Sequence, residues 1–236
     1  MAIDDLPGPV VTLLNVIGVP WPYVNEDTVM RFAALVREFS QAVQTTHADA
    51  TQTVAAIADA HQGASTQVMQ SGWAKLSAAH VDEIVESCAI LADALDAAAG
   101  YIVAQKVEAI AVLAGMAAAF IADQAASIAT LGLAEAALPV IVEGAEALVK
   151  SLVEDLQQYV IGQVIEAAAK PLFAKIETAM AGLDWSRAGG GGGGLGESVS
   201  IDPAAVRALT ARLRAQALTM RQHGADFRAG VSGLSF

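Results

Sequence analysis

The chain predicts an all-α fold: an elongated bundle of four to five long helices built on an antiparallel helical hairpin, with a separate C-terminal amphipathic helix. Three observations carry this. Hydrophobic residues make up 55% of the 236 residues, and Val and Ile lie scattered among Ala at helical spacing, not in alternating runs. Two long segments each carry an apolar stripe. Between them, His61-Gln62-Gly63 leaves room only for a tight reversal.

Residues 1–26 form a Pro-rich leading segment, with Pro7, Pro9, Pro20 and Pro22 around the apolar piece Val10–Val19, which could form one or two helical turns. Asp4 and Asp5 stand where a Sec signal would carry Lys or Arg, so a Sec leader is not expected. Trp21-Pro22-Tyr23 then leads to Asn25, an N-cap candidate with Glu26 and Asp27 in the first helical turn. The first arm follows, from Asp27 to His61. Val29, Phe32, Val36, Phe39, Val43, Ala50, Val54 and Ile57 recur on it at steps of three, four or seven. The second arm, Ala64–Gly100, repeats the pattern with Met69, Trp73, Leu76, Ile84, Cys88, Leu91, Leu95 and Ile102. Arms of this length make a rod of roughly 50 Å at 1.5 Å per residue.

Tyr101–Leu131 reads as a third helix running on from the second with a bend at Gly100. This is the most apolar part of the chain, but Lys106, Glu108, Asp123 and Glu135 interrupt it. Its longest charge-free run is the fourteen residues Ala109–Ala122, short of the about 20 that a membrane span needs, so a buried core helix is expected. Val140–Ala169 resumes the helical pattern, Pro171 ends or kinks it, and Leu172–Leu183 is a last amphipathic stretch of the bundle, which as a whole covers residues 27–188. Residues 189–200 begin with six consecutive glycines and read as a linker. In residues 201–236, Asp202-Pro203 is a helix start, and Val206, Leu209, Leu213, Ala217, Met220 and Phe227 form a stripe. One amphipathic helix cannot bury its own stripe, so this tail needs cover from the body or from another protein.

Charge limits the partners. The chain carries −12, yet residues 195–236 hold five Arg against three acids, which leaves −14 for the rest. An acidic body repels nucleic acid and anionic headgroups, so nucleic acid is excluded as a partner and a membrane is the less favoured one. The single cysteine, Cys88, lies on an apolar stripe and reads as a buried small hydrophobe.

Trp21-Pro22 followed by Glu26-Asp27, a long helix, and a Gly-containing turn about 35 residues later together resemble the WXG-like N-terminal domain of actinobacterial polymorphic toxins of the CpnT type, over residues 7–188. The resemblance implies two long helices meeting at a Trp-x-Gly turn, further helices completing a bundle, and export by type VII secretion. His61 stands where that turn would have Trp, while Gly63 is retained; Trp73 is followed by Ala74-Lys75 and makes no Trp-x-Gly. Residues 201–236 resemble half of a further hairpin of this type. A toxic activity is not carried over by the resemblance.

The residues set aside for turn or partner recognition are therefore His61, Gly63, Trp21 and Pro22, and those for a partner-helix face are Val206, Leu209, Leu213, Met220 and Phe227. Gly63 is expected to support a turn that needs a backbone without Cβ, or to be a simple helix C-cap. Tyr23 to Asp27 formally matches a Tyr-x-x-x-Asp export signal, but such a signal follows a hairpin and this one precedes it, so chance explains it better. Folding at residue 62 would bring His47 and His80 within about a turn of each other. Ordinary seam histidines are the preferred reading over a metal site, because no Cys and no His-Glu-x-x-His spacing accompany them. No catalytic set, metal or cofactor is expected. The glycine run lacks the Lys-Ser/Thr of a phosphate loop, and acid pairs such as Asp82-Glu83 sit side by side on solvated helix faces.

The sequence thus points to a non-enzymatic helical carrier or accessory domain of type VII secretion. Its partner would be a helical protein, of the WXG type or from the secretion machinery, unless the tail docks internally. Localisation would be secreted or cell-surface by a non-Sec route, and cytoplasmic before export. The alternative is a membrane-active protein inserting residues 101–142.

Overall fold

The computed structural model describes residues 6–129, 138–181 and 200–235. The chain is all-α, as its periodicity requires, and seven α-helices follow in order among the described residues. They are α1 (Gly8–Ile17), α2 (Glu26–Ala60), α3 (Ala64–Leu76), α4 (Asp82–Ala129), α5 (Leu138–Tyr159), α6 (Lys170–Ala181) and α7 (Pro203–Ser232). The six-glycine run lies outside the described residues. Two compact units share these elements: one comprises residues 1–31, 94–165 and 235–236, the other residues 32–93 and 166–234.

In the first unit, α1 is a full helix of ten residues and not just a turn or two. Pro7 and Pro9 fix its start, and Gly18, with φ 71°, ends it in the left-handed conformation that only glycine adopts without strain. Val10, Leu13 and Leu14 are buried, as is Trp21 just beyond. Asn25 caps α2: its Oδ1 accepts from the Thr28 amide at 3.1 Å. The core of this unit is completed from α4 by Leu95, Ile102, Leu113 and Phe120 and from α5 by Val149, Leu152 and Leu156. The third helix runs on from the second, as expected, with no break at Gly100. α4 runs unbroken through it for 48 residues, because a glycine with an intact hydrogen-bond ladder on both sides weakens a helix without breaking it. Within Asp82–Ala125 an 18-residue window of mean hydropathy 1.6 is long and apolar enough to cross a membrane by length and composition, two charges included, whereas the count of charge-free residues alone falls short.

The second unit contains the hairpin. Its contacts run antiparallel: Arg37 with Asp93, His47 with Ser77, and Thr51 with Trp73, the partner's number falling as the first arm's rises. The second arm is interrupted where the sequence predicts continuity, by a π-helical segment at Ser77–Val81. A second π segment, Val160–Ala169, joins α5 to α6. Val36, Val43, Val54 and Ile57 of α2 are buried in this unit, together with Cys88 and Leu91 of α4 and Leu172 of α6.

Candidate interaction site

The second unit holds the residues that the sequence assigns to recognition at the hairpin turn. His61 and Gln62 form a two-residue strand, β1, that pairs antiparallel with Ser200 and Ile201, β2, in the register His61↔Ile201 and Gln62↔Ser200. The Asp202 amide extends this ribbon by donating to the Ala60 carbonyl at 3.1 Å. The turn is thus taken up by the chain's own downstream segment. Gly63 behaves differently from expectation. Its φ of 171° is extended backbone open to any residue, and it serves as the N-cap of α3, not as a C-cap of α2. Thr66 supplies the capping group, its hydroxyl accepting from the Gly63 amide at 3.2 Å and donating to the Gly63 carbonyl.

α7 begins where Asp202 predicts, the carboxylate accepting from the Ala204 and Ala205 amides, each at 3.0 Å. Of its predicted face Phe227 meets α2, and Gln216, His223 and Gly230, which the sequence reading did not include in that face, meet it as well. Phe227 stacks on Phe39 with ring centroids 4.9 Å apart. Four residues from Phe39, Leu35 meets α7 at Gly230, where an added Cβ would come within 3.0 Å of the leucine methyl. Two polar contacts lie nearer the turn: Thr46 Oγ1 with His223 Nε2 at 2.9 Å, and Gln216 Nε2 donating to Thr53 Oγ1 at 3.1 Å. Leu35, Phe39, Ala42, Thr46 and Thr53 keep the alternating steps of three and four of a helical seam, distinct from the seam of Val36, Val43 and Val54. α2 therefore has two working faces, and the sequence shows only one clearly because Thr46 and Thr53 break the apolar pattern on the other.

The cover is partial. Val206, Leu209, Leu213, Met220 and Phe227 are half-buried, and no residue of α7 is fully buried. Open clefts remain between the helices: one of about 220 Å3 is lined by Leu35, Glu38, Phe39, His223, Asp226 and Phe227, and one of about 380 Å3 lies around Gln41, Thr45 and Thr219. Gln216, whose Nε2 meets Thr53, has its Oε1 buried without a hydrogen-bond partner.

The hairpin seam brings His47 against Ser77, its Nε2 in hydrogen-bond contact with the hydroxyl, while Trp73 stacks on the imidazole at 5.3 Å. Partial burial lowers the pKa of His47 below its ordinary value, against the opposing pull of the Asp82 carboxylate. A hydroxyl on an imidazole is half of a nucleophilic pair. Here His47 lies inside α2 and Ser77 stands where α3 passes into the π segment, its amide bonded to the Trp73 and Ala74 carbonyls and so not free to serve as an oxyanion hole, and the contact orders the seam. Among the described residues no three or more His, Cys, Asp or Glu are grouped to hold a metal ion.

In the first unit the structure adds a feature that the sequence reading missed. Lys106, taken there as a charge interrupting an apolar run, is fully buried, its Nζ 2.9 Å from Glu26 Oε2 and 2.6 Å from the Val24 carbonyl. Glu26, read from the sequence as a first-turn acid, is 1% exposed. Trp21, placed in the sequence among recognition residues, is 4% exposed and belongs to this core, with Pro22 half-buried beside it. The segment from Trp21 to Glu26 is therefore fastened to α4 by packing and by charge together.

The family model of the WXG100-like domain matches residues 3–144, well over half of the chain. The chain belongs to the WXG100-like family. The match takes in α1, the hairpin and all of α4, and α7 lies beyond it. No curated relative and no solved structure matches the chain. Membership makes this a helical protein of a family associated with type VII secretion and with helical partners.

Proposed function

We propose that this WXG100-like chain is a non-enzymatic carrier or accessory domain of type VII secretion that acts by helix-mediated protein–protein contact, in the manner of CpnT-type toxin N-terminal domains, and leaves the cell by a non-Sec route. The observation that supports this most directly is the second face of α2, a helical seam whose cover by α7 leaves every residue of that helix partly exposed. A surface built to receive a helix is what partner recognition needs, and seam packing supplies specificity through shape and a few polar contacts. The test is export: in a host with an active type VII system the tagged chain should reach the medium, and deletion of the secretion ATPase should hold it in the cell. Equal export in both strains would refute the assignment.

A second reading is favoured by α4. Only 28% of its most apolar window is buried, and Val107, Val112 and Ile121 are exposed along it. In this reading the region 101–142 leaves the bundle and enters a bilayer. The opposing fact is Lys106, which would exchange a buried counter-charge for hydrocarbon. Dye release from liposomes at neutral and acidic pH separates the two readings, since a carrier releases none.

A further inference from the structure

We infer that α7 is a strap over a helix-docking seam of α2, and that the seam's external ligand is a basic amphipathic helix of a partner protein, which must displace α7 to bind. The inference rests on the proposed function for the existence of a partner, and on the geometry of the second unit for what that partner looks like.

The seam already shows what fits it. The occupant is a helix, entering at the hairpin turn through the β1–β2 ribbon and lying along Thr53, Thr46, Phe39 and Leu35 in that order. Its requirements are legible from α7: a side-chain amide opposite Thr53, an imidazole or similar polar ring opposite Thr46, an aromatic ring opposite Phe39, and a glycine-sized residue at Leu35. Charge agrees. α7 carries five Arg against Asp226 alone, while α2 from residue 32 on holds Glu38, Asp49 and Asp59 against Arg37. A basic helix is drawn to this surface and an acidic one is repelled.

Three features make α7 displaceable. None of its residues is fully buried, so little apolar area holds it. Gln216 leaves its carbonyl oxygen unsatisfied inside the contact, a defect that a better-matched side chain would remove. Leu218, exposed at 63%, lies off the face and adds nothing to docking. Against this, α7 is tethered, and tethering gives it an effective concentration on the order of millimolar. A free helix with the same contacts would lose that competition at micromolar concentration. The strap therefore acts as a threshold: only a helix that binds the open seam much more tightly than α7 does will open it, its apparent affinity being reduced by the fraction of time the seam is open.

The experiment titrates a fluorescein-labelled peptide of residues 200–235 into the full chain and reads anisotropy. In the wild type α7 masks the seam, and binding should be at least tenfold weaker than in Phe227→Asp or Gly230→Ile, each of which loosens α7 without touching a buried residue. Adding Leu35→Asp to either variant should abolish capture. Circular dichroism of each variant, with an unchanged melting transition for Phe227→Asp, shows that the body remains folded. Equal binding by wild type and loosened variants would mean that α7 gates nothing. Failure of the folded, loosened variants to take up peptide would mean that the seam accepts no external helix. Self-association of those variants in place of peptide capture would make a second copy the occupant. Each of these outcomes overturns the inference. The export assay is independent of all three, so loss of the secretion role and loss of the strap are told apart.

Discussion

Replacing Lys106 with Met removes a charge that the first unit has enclosed. Lys106 and Glu26 are 0% and 1% exposed, so the carboxylate loses this counter-charge at a place where water does not replace it. At 2.9 Å the gross attraction is about 6 kcal/mol with an effective dielectric of about 20, most of it offset in the intact protein by the desolvation of both ions. Breaking such a pair on one side costs about 3–5 kcal/mol, because the desolvation remains and the attraction does not. The orphaned Val24 carbonyl adds about 1 kcal/mol. For a chain of this size the sum corresponds to a melting temperature lower by about 8–24 °C. Arg37 and Asp93 provide the comparison. Their separation, 2.8 Å, is as short, but they are 46% and 78% exposed, so Arg37→Met should cost only about 0.2–1 kcal/mol. The assay is urea denaturation followed by tryptophan fluorescence in a chain carrying Trp73→Phe and Trp185→Phe, which leaves buried Trp21 as the reporter of the first unit. Glu26→Gln with Lys106→Met should recover more than half of the loss, since no unpaired ion remains. A Lys106→Met loss as small as that of Arg37→Met, or a double variant no better than the single, would refute the claim that burial and not distance sets the value of this pair.

Three further outcomes follow from other sites. For His47 the folded-state pKa lies below its ordinary value, so the neutral ring is the form the fold prefers. Stability is then complete above about pH 6.5 and declines as the pH falls through that value, where the unfolded chain takes up a proton that the folded chain resists. His47→Gln should flatten this part of the melting-temperature profile between pH 7.5 and 5.5, and an unchanged slope would show that His47 is not responsible. Burial pushes the Cys88 thiol up to about 11, so alkylation at pH 8 should be slow in the native chain and fast in urea; native labelling as rapid as in urea would contradict its burial. Asp202→Ala should destabilise α7 by about 0.5–2 kcal/mol through loss of its cap, seen as faster amide exchange at Ala204 and Ala205 with α4 of the first unit unaffected.

Local signals in the sequence were read correctly where a single residue does the work. Asn25 and Asp202 cap the helices they precede, and the break at residues 61–63 reverses the chain, because each effect acts within one turn. Features needing two distant residues were not legible. Glu26 and Lys106 are eighty positions apart, and each alone resembles a solvated charge; a lone Lys in the most apolar run of the chain was the available signal. The π segment at Ser77–Val81 was not legible either, because the apolar stripe of the second arm runs through it at ordinary helical spacing. Gly63 was given a conformational role that its backbone does not take up, since a glycine permits an unusual conformation without requiring one. The tail left two kinds of cover open, and the structure supplies the internal one: Gln216 and His223, polar residues on an otherwise apolar stripe, are the side chains that find Thr53 and Thr46.

The ribbon between residues 61–62 and 200–201 also imposes an order in time. A ribosome delivers α2 roughly 170 residues before it finishes α7, an interval of roughly 10–35 s at bacterial or eukaryotic rates of synthesis. Throughout that interval the second face of α2 exists without its lid, and a protein waiting near the ribosome meets it with no competitor. Partners made from neighbouring messages would enjoy an advantage at birth that the finished chain denies to later arrivals.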